Sequence, residues 1–224
     1  MNPDKTVIVS DLDGVLVDTY IELQWFVWDK YGEWIPAAAL DRYALCEPIH
    51  EHLENAIAGR RLPSLKEFTA EIGKACWDNP DYYRRARPNP AYWQALRNWP
   101  GDLYFLTARP KCVKAATIEW LTRYGFTDRL PRSVRHDDKE YVHLYFAKNK
   151  RAVLEVLHNR HSGCEIVMID DRPETIKDLV DLRKTCKRLR PILVEYPWSR
   201  IEGLDVEPVS LDRIADSINK GRKK

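Results

Sequence analysis

Short apolar runs that end in polar residues recur along this chain. Val7–Val9 leads into a carboxylate, residues 102–106 lead into a threonine, and residues 165–169 lead into two adjacent carboxylates. Runs of this length and composition predict strands that are buried on both faces, as in a parallel sheet. A further run over residues 191–196 predicts another strand. Helical patterns follow the later runs, so the order of elements predicts an α/β fold.

The polar residues that end the first run have a spacing that suits chemistry. In an extended backbone, residues i and i+2 point to the same side, so Asp11 and Asp13 share a face. Gly14 then lets the chain turn without steric cost. Two carboxylates at the end of a strand can bind a hard cation such as Mg²⁺, and they can divide the work of nucleophile and general acid. A polar turn is the alternative explanation of this motif taken alone.

The later motifs make the alternative explanation less favourable. Thr107 ends the second run, a lysine precedes a helical pattern near residue 150, and Asp170 and Asp171 end the third run. Ligands of open α/β sheets bind beyond the carboxyl ends of the strands. Asp-x-Asp-Gly, strand-Thr, Lys and strand-Asp-Asp in this order therefore predict one site.

This ordered set resembles the motifs of the haloacid dehalogenase-like superfamily of phosphatases. The resemblance covers about residues 5–19, 102–125 and 148–185. It implies that Asp11 is the nucleophile that accepts the phosphoryl group, and that Asp13 is the general acid and base. An aspartyl-phosphate intermediate is then expected.

The resemblance also implies the phosphate-binding residues. Thr107 would bind a phosphate oxygen through its hydroxyl, with Ala108 and Arg109 beside it in the substrate site. A lysine would neutralise phosphate charge, and both Lys148 and Lys150 are candidates. Lys150 is favoured because it begins a helical pattern and lies 20 residues before the carboxylate pair.

Magnesium is the cofactor that the resemblance implies. Its ligands would be Asp11, the backbone carbonyl of Asp13, and the carboxylate pair of Asp170 and Asp171. Asp171 is favoured as the direct ligand because it is the second residue past the strand in the family's pattern. Asp170 would then be a hydrogen-bonding neighbour, and the reverse assignment stays open.

The stretch between the first two motifs is too long for a simple connection. About 80 residues separate Asp18 from Asp102, far more than an ordinary crossover needs. Ser64 with a glutamate three residues later forms a capping-box pattern. Helical patterns cover residues 20–31, 53–58, 64–77 and 89–98.

These patterns resemble the helical cap of the same superfamily. We therefore predict an α/β protein with a Rossmann-like three-layer core and a parallel sheet. The core would comprise residues 1–19 and 100–224, and the inserted helical cap would comprise residues 20–99. Most of the many cap aromatics are expected in the core of the cap, and a few in the cleft, where they could stack on a planar base.

Two shorter motifs point to a branch of the superfamily. Ile169–Pro173 and Tyr196–Trp198 resemble segments of the deoxyribonucleotidases. The favoured function is thus a magnesium-dependent phosphomonoesterase, a 5'-nucleotidase acting on (deoxy)nucleoside monophosphates. A phosphatase for another small metabolite or for nucleic-acid 3'-phosphate ends is the alternative within catalysis. A catalytically silent binding protein with this fold is the alternative of another class.

Composition and net charge restrict the classes of partner that the chain is expected to bind. The 224 residues carry a net charge of only +2, which gives no support for general nucleic-acid binding. No apolar stretch reaches the roughly 20 residues of a membrane span, and no secretory segment is found. The five scattered cysteines include no Cys-x-x-Cys pair, which favours reduced thiols and a cytoplasmic protein. A small phosphorylated substrate, favoured as a nucleotide, is the expected partner, and the oligomeric state is left open.

Overall fold

The computed structural model describes residues 6–57, 59, 61–126, 143–199, 204 and 206–219. Within these residues, five parallel strands form one sheet in the order β3-β2-β1-β4-β5. The strands are β1 (Thr6–Ser10), β2 (Leu103–Thr107), β3 (Leu144–Phe146), β4 (Glu165–Asp170) and β5 (Leu189–Leu193). The predicted α/β fold with a parallel sheet is confirmed.

The first predicted strand lies at the centre of the sheet. Ile8 of β1 pairs with Leu103 of β2 on one side and with Val167 of β4 on the other. The residues Val7 and Val9 face the opposite side of the sheet from Ile8, and all three are buried. A continuous apolar run is what a strand covered on both faces requires.

Helices cover both faces of the sheet and also form a separate group. Their bounds are α1 Thr19–Tyr31, α2 Cys46–Ala56, α3 Leu65–Ile72, α4 Pro80–Arg85, α5 Pro90–Arg97, α6 Lys114–Arg123, α7 Lys150–Arg160, α8 Pro173–Leu182 and α9 Ile214–Asn219. A π-helical turn, Gly73–Trp77, continues α3. The predicted capping box is present, because the Ser64 and Glu67 side chains bond to each other's backbone N–H groups.

Three hydrophobic clusters define the layers. Helices α5, α6 and α9 pack on one face of the sheet, and α7 and α8 pack on the other. Helices α1 to α4, called the cap helices below, share a third cluster that includes Leu23, Leu53, Phe68 and Tyr82. The boundaries of a cap domain stay a prediction, although α5 packs with the sheet rather than with the cap helices.

Two predicted element boundaries were wrong. The helix expected from Leu53 begins at Cys46, because Pro48 falls in the first turn, where no intrahelical N–H is needed. The strand expected over residues 191–196 covers Leu189–Leu193 instead. Pro191 fits there because β5 is an edge strand, where a missing backbone donor costs no ladder bond. The predicted helical residue Ala58 lies outside the described residues.

All five cysteines are free thiols. Among the described residues, no helix combines the length and the apolar character that crossing a membrane requires. The cytoplasmic location stays a prediction.

Candidate active site

The carboxyl ends of three neighbouring strands bring the sequence motifs to one edge of the sheet. Asp11 directly follows β1, Thr107 ends β2, and Asp170 ends β4. The backbone N–H of Asp11 donates to the carbonyl of Ile169 at 2.9 Å, which ties the ends of β1 and β4 together. Parallel pairing therefore places residues that are distant in sequence within one site.

Gly14 is required here for a reason beyond its turn. Its φ is +69°, and a Cβ at this position would lie 2.3 Å from Oδ2 of Asp171. Any larger residue would therefore displace the Asp171 carboxylate. The glycine lets the first motif approach the carboxylates that follow β4.

Three buried carboxylates form the acidic cluster of Asp11, Asp170 and Asp171. One oxygen from each lies within 4.8 Å of the others. Nζ of Lys150 lies 2.5 Å from Oδ2 of Asp11 and 2.7 Å from Oδ2 of Asp170. Lys150 begins α7 and is buried, whereas Lys148 is exposed. Of the two candidate lysines, Lys150 is therefore the one that contacts the cluster.

The charges of the cluster do not balance. Burial raises the pKa of Asp11 to about 7, with Lys150 opposing the shift and Asp170 and Asp13 adding to it. Burial, together with the charges of Asp170 and Asp11, also raises the pKa of Asp171 well above its usual range. Burial works to lower the pKa of Lys150, but its two carboxylate partners more than offset this and raise it. Three carboxylates facing one ammonium leave a site that favours an additional cation.

The two adjacent aspartates differ in their partners. Asp170 accepts a hydrogen bond from Lys150 at Oδ2 and one from the backbone N–H of Arg172 at Oδ1, at 2.9 Å. Oδ1 of Asp171 is buried and has no hydrogen-bond partner among the described residues. A buried carboxylate oxygen without a partner is costly unless a cation or water binds it. The oxygen donors of Asp171 and Asp11 therefore fit a hard divalent cation.

The second carboxylate of the first motif has a partner that the sequence did not predict. Arg109 binds Asp13 through two hydrogen bonds, Nε to Oδ2 at 2.8 Å and Nη2 to Oδ1 at 2.7 Å. The backbone N–H of Arg109 donates to Oγ1 of Thr107 at 3.2 Å. Thr107 is fully buried, whereas Ala108 and Arg109 line a cavity in front of the cluster. The structure thus brings all the predicted phosphate-binding residues to this edge, and Arg109 faces a carboxylate.

The cavity has a volume of about 570 Å³ and lies between the sheet edge and the cap helices. Asp11, Asp13 and Asp171 line its sheet side. Five aromatic residues, called the aromatic wall below, line it elsewhere: Tyr20, Tyr43, Trp77, Tyr83 and Trp198. A volume of this size accommodates a small organic molecule.

Trp198 connects the aromatic wall to the end of the sheet. Its ring stacks on Tyr196 with centroids 4.5 Å apart, and its edge contacts with Tyr20 and Tyr43 span 6.2 and 6.5 Å. Other cap aromatics lie elsewhere: Trp25, Trp28 and Trp34 are 56%, 49% and 42% exposed. These three belong neither to the cap core nor to the cavity, whereas most of the cap aromatics are part of the cap core or pack against it, as expected: Phe26, Tyr31, Phe68, Trp77, Tyr82 and Tyr83.

Comparison with known proteins supports the fold. No family model matches the sequence, and no curated protein matches it at a significant level. A putative haloacid dehalogenase-like hydrolase from Burkholderia xenovorans is similar in structure, with 14% identity, coverage of 99% of this chain and 100% of the other, and a TM-score of 0.53. A haloacid dehalogenase-like protein from Agrobacterium tumefaciens has 13% identity, coverage of 98% and 100%, and a TM-score of 0.56.

A third similar structure is a hydrolase of the same class from Deinococcus radiodurans, solved with bound phosphate and sodium. It has 14% identity, coverage of 99% of this chain and 98% of the other, and a TM-score of 0.52. Each similarity extends over nearly the full length of both chains. The chain therefore has the fold of the haloacid dehalogenase-like hydrolases.

Proposed function

We propose that this chain is a magnesium-dependent phosphomonoesterase that acts through an aspartyl-phosphate. The observation that carries the proposal is that Asp11, Asp13 and Asp171 line one cavity, with Lys150 in contact with Asp11. The Deinococcus hydrolase that shares the fold was solved with bound phosphate, which supports an oxyanion substrate.

Asp11 is the proposed nucleophile. One of its carboxylate oxygens forms a bond to phosphorus while the ester P–O bond breaks, and the leaving oxygen takes a proton from Asp13. Water then attacks phosphorus, the bond between phosphorus and the Asp11 oxygen breaks, Asp13 accepts a proton from that water, and inorganic phosphate leaves. Both steps conserve charge and protons, since Asp13 returns to its starting state.

Charge neutralisation is the main demand on the other residues. A carboxylate and a phosphate dianion repel each other, and phosphoryl transfer spreads charge over three oxygens. Lys150 supplies one positive charge beside Asp11. A divalent cation, which Asp11, Asp171 and the backbone carbonyl of Asp13 would hold, supplies the rest when bound. Thr107 and Ala108 would bind a phosphate oxygen, and Asp170 would hold Lys150.

Nucleoside 5'-monophosphates are the favoured substrates. The aromatic wall offers ring faces for a planar base, and base–aromatic stacking is worth about 1–3 kcal/mol per base. The cap helices border the cavity, which favours a small substrate over the 3'-phosphate end of a nucleic acid. Other small phosphate esters are the second candidate, because apolar walls also suit them.

A phosphatase assay tests the proposal. The purified chain is incubated with a panel of phosphate monoesters in Mg²⁺ or in EDTA, and released phosphate is measured. We expect turnover in Mg²⁺ that EDTA abolishes, with nucleoside monophosphates among the best substrates. No turnover of any ester in Mg²⁺ would instead support a catalytically silent binding protein.

A further inference from the structure

Arg109 is held more firmly than a substrate-binding arginine needs to be. Its side chain is 1% exposed, and its Nη1 donates to Oγ1 of Thr117 at 3.1 Å. Thr117, in α6, in turn donates to the carbonyl of Val113, the residue that directly precedes this helix. The two remaining nitrogens, Nε and Nη2, both donate to Asp13. Every nitrogen of the guanidinium therefore has a protein acceptor.

The cap contributes the other contact of Arg109. The guanidinium carbon lies 4.1 Å from the ring centroid of Tyr83, which belongs to α4. The Tyr83 hydroxyl donates to the carbonyl of Trp77 at 3.1 Å, which fixes the ring in the cap. A cation over an aromatic face is stabilised, and more so when it is removed from water. A continuous set of contacts thus runs from the cap through Arg109 to Asp13.

The carboxylate of Asp13 needs contacts that hold it in position. It lies in the turn after β1, and its side chain is 30% exposed at the cavity. Two parallel hydrogen bonds from a guanidinium fix both the position and the plane of a carboxylate. Proton transfer in a transition state requires hydrogen-bond reach, and a misplacement of about 1 Å can cost about 100-fold in rate.

We propose that Arg109 is a positioning residue that fixes the carboxylate of Asp13, and that Tyr83 transmits this restraint from the cap. The inference rests on the proposed function, in which Asp13 exchanges protons with the leaving group and with water. It gives Arg109 a different role from the phosphate-binding one implied by the resemblance. The cap helices then affect proton transfer at Asp13 as well as the choice of substrate.

Leaving-group dependence separates the two roles of Arg109. Dinitrophenyl phosphate releases a stable anion that needs no proton, whereas benzyl phosphate releases an alkoxide that does. Asp13 also accepts a proton from water in the second step, which is the same for both esters, so the two roles are compared in kcat/KM, which reports only the steps up to release of the leaving group. A residue that positions the proton donor lowers kcat/KM for benzyl phosphate selectively. A residue that binds the phosphoryl group affects both esters alike, since both carry the same group.

The experiment compares kcat/KM for these two esters in Mg²⁺, using the full chain. We expect Arg109→Met to lower kcat/KM for benzyl phosphate by about 100-fold and kcat/KM for dinitrophenyl phosphate by less than about threefold. Arg109→Lys should not restore the rate, because an ammonium cannot form the bidentate contact. Tyr83→Leu should show the same selectivity to a smaller degree, and Tyr83→Phe, which keeps the ring, should lose less.

Arg84→Met is the matched control. Arg84 lies next to Tyr83 in α4 and binds Glu119 and Asp81 at the surface, so its loss should leave the ratio between the two esters unchanged. Thr117→Val conserves shape and removes the acceptor of Nη1. If Arg109→Met does not fold, Thr117→Val is tested in its place, and it should lower kcat/KM by about threefold or more for benzyl phosphate alone.

Three outcomes would overturn the inference. Equal losses of kcat/KM on both esters would make Arg109 a phosphate ligand. An unchanged rate for Arg109→Met would remove Arg109 from the reaction. Failure of the wild-type chain to hydrolyse either ester would overturn the proposed function as well, and is distinguishable because no variant is needed to observe it.

Discussion

The sheet edge and the aromatic wall enclose the same cavity but are built in different ways. At the sheet edge, buried charged side chains have specific charged partners: Lys150 contacts Asp11 and Asp170 at 2.5 and 2.7 Å. The aromatic wall consists of rings from separate segments that contact each other edge-on, such as Tyr43 and Trp198 at 6.5 Å. The sheet edge is stabilised by short, directional contacts, whereas the aromatic wall is stabilised by the ring surface that its members bury.

This difference indicates how each region responds to change. Burying a charge without its partner is costly, so a substitution at the sheet edge should disturb both chemistry and stability. Ring contacts are individually weak, so a substitution in the aromatic wall, apart from Tyr83 beside Arg109, should change substrate preference while the reaction persists. Arg109 lies between the two regions, with Asp13 on one side and Tyr83 on the other.

The largest effect should come from the nucleophile. Asp11→Asn keeps the shape of the side chain but removes the attacking oxyanion, so phosphate release from para-nitrophenyl phosphate should fall by at least about 10⁴-fold. Circular dichroism should show an unchanged fold. Substantial residual turnover by the purified variant would contradict the assignment of Asp11.

Removal of Lys150 should have the largest effect on stability. Lys150→Met leaves two buried carboxylates without their cation, and the free energy of unfolding should fall by about 3–5 kcal/mol in EDTA. Lys148→Met is the matched control, because Lys148 is exposed, and its effect should stay within about 0.5 kcal/mol. Urea unfolding curves measure both. Equal effects of the two variants would show that burial of Lys150 contributes nothing specific.

The two adjacent aspartates should differ in metal dependence. Asp171→Asn should raise the Mg²⁺ concentration for half-maximal activity by about 100-fold and Asp170→Asn by about tenfold, because only Asp171 has a buried oxygen without a protein partner. Magnesium titrations of phosphate release compare them. A larger requirement for Asp170→Asn would reverse the assignment of the pair.

The smallest effect should come from the aromatic wall. Nucleoside monophosphates should be hydrolysed with a kcat/KM at least about tenfold above that of ribose 5-phosphate, which corresponds to about 1.4 kcal/mol of stacking. Tyr43→Leu should reduce this preference, whereas Trp28→Leu, at an exposed position outside the cavity, should not. Equal efficiency on the base-free sugar phosphate would leave a general small-molecule phosphatase.

Much of the sheet could be predicted from the chain, because apolar runs that end in carboxylates are local signals. Strand alternation alone puts Asp11 and Asp13 on one face, and the glycine that follows permits the turn. The short strand β3 was not predicted, since three residues carry no periodicity. The helix α2 was predicted too short, because Pro48 resembles a loop residue until its place in the first turn is known.

The sequence by itself therefore determined four of the five strands that the structure describes, their order along the chain, and the residues at the sheet edge. The tertiary structure decided which of two neighbouring lysines contacts the acidic cluster, which of two adjacent aspartates keeps an oxygen free, and which aromatics reach the cavity. It also decided the pairing of Asp13 with Arg109, 96 residues away. The physical reason is that periodicity fixes the direction of side chains within a strand, whereas partners across loops depend on how the layers pack.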